Sequence, residues 1–150
     1  MAEAQHFHRC RKERGKRRVG HAREHGGERG TEDAALHKDL KLPTAQLIIR
    51  KGYNKGVDSY SAFRDNDKSA LTGLGEWLNA KGVTELDVMG LATDYCVKFS
   101  ALDAVDMLPG VKVRLIADGC RGIDPKGAEE AIEAMRLAGV EITDSGRIGF

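Results

Sequence analysis

The segment LDVMGLATDYCVKF, residues 86–99, constrains the fold more than any other part of the chain. Its apolar run from Leu86 to Leu91 stops at Ala92-Thr93-Asp94-Tyr95, and Cys96 then opens an amphipathic stretch. A buried strand that turns tightly into a helix is the unit from which α/β proteins are assembled. The same turn is a reactive corner. A helix N-terminus stabilises a thiolate, and backbone N–H groups at such a turn can hold an oxyanion. A buried structural cysteine is the bland alternative, and the strand–turn–helix flank favours the nucleophile.

The rest of the chain alternates in the same way. Residues 45–49 read as a strand ending at Arg50-Lys51-Gly52. Residues 67–81 read as a helix with Leu71, Leu74, Trp77 and Leu78 on one face and Gly82 as its stop. After the 86–91 strand, a helix over 95–108 turns Val97, Ala101, Ala104, Val105 and Leu108 inward. Residues 111–117 form a strand that Asp118-Gly119 leaves. Pro125 suits the first position of a helix running to Ala138 and stopped by Gly139, and residues 140–143 make a last short strand. Strands alternating with helices through short loops predict a mainly parallel sheet covered on both faces.

One stretch breaks the pattern. Residues 1–30 hold nine Lys/Arg and four Glu, although the whole chain is nearly balanced at 24 basic against 23 acidic groups. Residues 1–33 have isolated apolar side chains, frequent Gly and no period of two or 3.6, so they read as a disordered basic segment ahead of a domain at 34–150. The balanced total argues against a nucleic-acid or membrane partner. Three widely spaced cysteines (Cys10, Cys96, Cys120) do not form a disulfide framework, which points to reduced thiols and a cytoplasmic location. No apolar run approaches a membrane span, and the N-terminus lacks the apolar core of a secretory signal.

Lys51-Gly52, the DSYSAF run at 58–63 and the GLATDYCV run at 90–97 together resemble the nicotinamidases, which belong to the isochorismatase-like cysteine hydrolases. The resemblance covers about residues 34–145. It implies a three-layer α/β/α fold and hydrolysis of nicotinamide to nicotinate and ammonia in NAD salvage. It makes Cys96 the nucleophile, the N–H groups of Ala92 and Cys96 the oxyanion hole with a cis bond at Leu91–Ala92, and Lys51 the catalytic lysine. Tyr60 and Tyr95 are assigned to the substrate pocket. Each assignment has a plainer counterpart: a solvated strand-end Lys51, or a Tyr60 that holds a loop against the sheet. Asp94 is read as a helix cap, Asp118 and Asp124 as turn and cap residues, and Cys120 as core packing.

Two parts of the family pattern are absent from the sequence. The aspartate block D-x-Q-x-D-F of the first strand has no counterpart. Nor do the Asp-x-His pair and the W-P-x-H-C segment that hold the family's divalent metal (zinc, iron or manganese); where the latter belongs, residues 26–35 read GGERGTEDAA. His37, in Leu36-His37-Lys38-Asp39-Leu40, matches a family position that is not a ligand. No metal ligand and no cofactor is therefore assigned, although His6 with His8 and His21 with His25 have metal-ligand spacing. The fold expected is thus an incomplete isochorismatase-like domain whose first two strands are missing, leaving the 86–91 strand with a bare edge. An Arg/Gly/His-rich run that stops where the match begins is what out-of-frame reading of a GC-rich gene yields.

Three functions compete on these residues. The first is an impaired amidohydrolase acting on a small amide, nicotinamide. The second is a non-catalytic remnant that keeps the thiol corner but lacks its acid and metal. The third is a basic-tailed nucleic-acid-binding module, which the single aromatic and absence of RGG repeats in the tail disfavour. Self-association into a homo-oligomer stays open.

Overall fold

The computed structural model describes residues 39, 43–54 and 56–148, together with the backbone of residues 2–6. Four strands form one sheet in the order β1 (Ala2–His6), β2 (Glu85–Leu91), β3 (Lys112–Arg121), β4 (Glu141–Thr143), and every pair is parallel. Parallel neighbours need crossovers. Here α2 (Lys98–Met107) joins β2 to β3, and α3 (Pro125–Leu137) joins β3 to β4; α1 (Leu74–Ala80) precedes β2. The α/β architecture with a parallel sheet is the one expected.

The edge of β2 is not bare. Residues 2–6 pair along it from Ala2 opposite Leu86 to His6 opposite Gly90. This corrects the reading of 1–33 as one non-packing segment, because five of its residues form ladder bonds that composition does not signal. Residues 7–33 lie outside the described residues, as do Cys10, His8, His21, His25 and His37 and the side chain of His6. The expected strand at 45–49 is also corrected. Those residues carry no strand pairing, with Ile48 60% exposed. A strand exists only through its ladder, and no described neighbour supplies one.

Two helix boundaries shift for local reasons. The predicted helix at 67–81 begins only at Leu74, because Gly73 sits at φ 85 and Lys68 at φ 63, neither of them helical. Before it the chain doubles back, bridging Arg64 to Leu71 in antiparallel fashion and leaving Leu71 exposed. β3 runs past Asp118-Gly119 rather than ending there. Its register against β2 slips between Val88, opposite Leu115, and Gly90, opposite Cys120. The bulge brings Gly119 against Met89, where a Cβ would lie 3.2 Å from the Met89 Cβ.

The core lies between the sheet and its helices. Phe63, Leu78, Leu86, Leu108, Leu115 and Met135 are all within 1% of complete burial. Val97, Ala101, Ala104 and Leu108 face inward as their spacing predicts, and Val105 is half-buried. Small residues at Ala101 and Ala104 let α2 lie close to the sheet, which fixes the height of the turn that precedes it.

Candidate active site

β2 brings the chain to the site through Gly90, at φ 130, and the Leu91–Ala92 peptide is cis, as the resemblance implies. The next five residues, Thr93–Val97, form a π turn rather than the first turn of an α-helix. The Ala92 carbonyl accepts from both Tyr95 N and Val97 N, each at 3.1 Å. The expectation that Cys96 opens the α-helix is thus corrected: α2 starts two residues later, at Lys98. One extra residue in the turn re-aims side chains, and π turns are frequent at functional sites for that reason.

Cys96 is 8% exposed. The Lys51 ammonium lies 3.9 Å from its sulfur and donates a short hydrogen bond to the Ser59 carbonyl. Lys51 is only 3% exposed, so the solvated strand-end reading does not hold. A lysine is buried at such cost only where negative or dipolar partners offset its desolvation, and the thiol and the Ser59 carbonyl are two such groups. The loop that brings Ser59 also carries Tyr60, whose ring meets Tyr95 edge-on at 5.5 Å and Phe99 at 5.4 Å. Tyr95 is 42% exposed, so the aromatic group stands at the rim of the thiol corner. Phe99 was missed in the sequence. Its signal is the position one turn after Cys96, at i+3, which places both on one side of the helix entry.

The predicted cap residues divide. Asp124 caps α3 by accepting from Gly127 N at 2.7 Å, as expected. Asp94 does not cap its own helix. Its carboxylate accepts from Ile123 N at 3.1 Å and Asp124 N at 3.2 Å, tying the Cys96 turn to the loop before α3. Its partners lie 29 and 30 residues away, beyond any local pattern. Asp118 accepts from Ser145 N at 2.8 Å and Ser145 Oγ at 2.5 Å, and these bonds hold its carboxyl below the usual range. Cys120 is buried in the core, its sulfur 3.3 Å from the Ile116 carbonyl, and burial pushes its thiol up.

A second feature, an open groove of about 420 Å³, runs beside residues 47–54 and is lined by Leu71 and Trp77. Lys51 contributes to its wall, but Cys96 does not. The chemistry converges at the thiol instead. Among the described residues no group of three His, Cys, Asp or Glu side chains has metal-binding geometry. The sequence lacks the Asp-x-His pair and the W-P-x-H-C segment of the resemblance, and none of its five histidines has a described side chain.

A thiol in a π turn after a buried strand, a cis bond before it and a buried lysine beside it form one arrangement. The isochorismatase domain matches residues 4–147 of the chain. The chain belongs to this family. The match starts well before residue 34, where the motif resemblance begins. Nicotinamidase from Acinetobacter baylyi is 43% identical over 120 residues, covering 79% of this chain and 55% of that protein. Nicotinamidase from Escherichia coli is 46% identical over 114 residues, covering 75% and 53% respectively. An L. infantum protein solved in complex with nicotinate superposes with a TM-score of 0.73 at 33% identity, over 78% of this chain and 58% of that one. The chain therefore spans about half the length of the curated relatives it matches.

Proposed function

We propose that this chain carries the thiol–lysine half of a nicotinamidase-type amidohydrolase site, with Cys96 as nucleophile and nicotinamide as substrate. The observation that carries the reading is the buried Lys51 ammonium 3.9 Å from the Cys96 sulfur. A cation there is placed to stabilise negative charge on the attacking sulfur. That sulfur bonds to the carboxamide carbon, and the carbonyl oxygen takes up the negative charge. The N–H groups of Ala92 and Cys96 are the donors assigned to that oxyanion. Collapse breaks the carbon–nitrogen bond, ammonia leaves with an added proton, and water hydrolyses the thioester to nicotinate and the free thiol. Tyr60, Tyr95 and Phe99 offer ring faces and edges to a flat heteroaromatic substrate.

The family's aspartate has no counterpart in this sequence, so the proton that ammonia needs has no dedicated carrier here. General acid–base help contributes ~10²–10⁴ in rate, and turnover is expected to fall short by about that factor. No step is routed through a metal. A non-catalytic role is favoured by this same absence and is the second reading. Cys96 and Cys120 are unpaired, which suits a reducing compartment, and no helix among the described residues is long and apolar enough to cross a membrane. A cytoplasmic location is proposed on the free thiols alone. Ammonia release from nicotinamide by the purified 150-residue chain, with Cys96→Ala alongside, tests the proposal. Release that depends on Cys96 supports it; none above the Cys96→Ala background leaves the second reading.

A further inference from the structure

We propose that Ser100 is a positioning residue that locks the loop bearing Ser59 and Tyr60 onto the turn bearing Cys96. The inference rests on reading Cys96 and Lys51 as the reacting pair. α2 presents Ser100, Asp103 and Asp106 at i, i+3 and i+6, one above another, to that loop. Arg64 forks onto the outer two, with Nε 3.0 Å from Asp103 Oδ1 and Nη2 2.8 Å from Asp106 Oδ2. Ser100 works at the buried end of the row. It is 3% exposed, and its hydroxyl donates to the Cys96 carbonyl at 2.7 Å.

That back-bond to the i−4 carbonyl satisfies a helical serine and needs no function. The second bond is different. Ser100 Oγ also accepts from the N–H of Ala62 at 2.9 Å, a residue 38 positions earlier and itself 3% exposed. Two residues before Ala62 stands Tyr60; three before it stands Ser59, whose carbonyl holds the Lys51 ammonium. One hydroxyl thus closes a ring. It runs from Cys96 through Ser100 to Ala62, along the loop to Ser59, across to Lys51, and back to the Cys96 sulfur. An alanine at 100 opens the ring and orphans a buried N–H, and such a group is costly to leave unpaired. The loop then relaxes toward water and carries the Ser59 carbonyl and Lys51 away from the thiol.

The test separates charge from exposure. Cys96 in the full chain is alkylated with iodoacetate and with iodoacetamide, and the ratio of the two rates is read by mass spectrometry. Greater exposure raises both rates, whereas only a nearby cation favours the anionic reagent. Ser100→Ala should lower the ratio about fivefold, the factor for a charge interaction at about 4 Å in water. Ser100→Thr, which restores the hydroxyl, should return it to within twofold of the parent. Asp103→Asn loosens the same loop from the surface and should give an intermediate ratio. A parental ratio in Ser100→Ala, or a fall in Ser100→Thr as large as in Ser100→Ala, overturns the proposal. Should Ser100→Ala fail to fold, a parental ratio in Asp103→Asn overturns it instead. Ammonia release from nicotinamide is followed on the same samples. A parent without turnover but with the expected ratios refutes the hydrolase reading alone, whereas turnover with flat ratios refutes the positioning role alone.

Discussion

The Lys51 ammonium stands 3.9 Å from the Cys96 sulfur, across 45 residues of sequence, with each side chain nearly closed off from water. A cation at that distance in a partly desolvated site acts much more strongly than in bulk water. Lys51→Met keeps much of the side-chain volume and removes the charge. Any Cys96-dependent ammonia release should then fall about 10²–10³-fold, the cost of losing one aimed electrostatic group. The iodoacetate-to-iodoacetamide ratio at Cys96 should drop with it. Unchanged turnover in Lys51→Met would remove Lys51 from the reaction.

The two described thiols should behave oppositely toward alkylation. Burial raises the Cys120 thiol above its ordinary value, so near neutral pH it stays protonated and inert. The sign for stability follows from linkage. Below the ordinary thiol range both folded and unfolded chains hold the proton, and the contribution is fully present. As pH rises, the unfolded chain releases its proton first, and stability is lost toward the raised folded value. Peptide mapping after brief iodoacetamide treatment at neutral pH should find Cys96 modified and Cys120 intact, and Cys120→Ala should flatten the alkaline decline in urea midpoint. Equal labelling of both thiols by the folded protein would contradict this.

The parts legible in the sequence are those governed by near neighbours. Strand β2, the inward face of α2 and the Pro125 start of α3 follow from apolar period and capping within a dozen residues. The Lys51–Cys96 encounter was legible only through the motif resemblance, since no period links position 51 to position 96. What escaped has its cause elsewhere in the chain. Residues 45–49 have the composition of a strand but no described partner, and residues 2–6 have little strand character yet pair along β2. Asp94 looks like a cap, and its actual N–H partners on Ile123 and Asp124 exist only once α3 has packed.

That long-range role for Asp94 gives a stability prediction. Asp94 is 7% exposed, and its carboxylate accepts from the backbone N–H groups of Ile123 and Asp124. Asp94→Ala should lower unfolding free energy by about 1.5–3 kcal/mol, the range for hydrogen bonds to a charged group. Asp94→Asn keeps a carbonyl acceptor and should lose less. Urea denaturation of the two variants checks the order, and amide exchange should accelerate first at Ile123 and Asp124. A loss in Asp94→Asn equal to that in Asp94→Ala would mean the charge alone matters.

The last prediction concerns the ion pair that clamps β2 to β3. Arg114 forks onto Asp87, with Nε 2.6 Å from Oδ1 and Nη2 3.0 Å from Oδ2, and Glu85 lies 3.4 Å from Nη2. The hydrogen bond to Asp87 raises the Arg114 guanidinium above its ordinary value. Asp87 is 6% exposed and cannot recover hydration if its partner is removed. Arg114→Ala should therefore cost roughly 1.5–3 kcal/mol, most of it the penalty of a carboxylate left without its fork. Replacing both residues, as Asp87→Leu with Arg114→Met, removes the stranded charge together with the bond and should cost less than Arg114→Ala alone. A double-mutant cycle by urea unfolding measures this directly. Additive losses in the double variant would show that each side chain acts through its own packing and that the pair contributes no coupling.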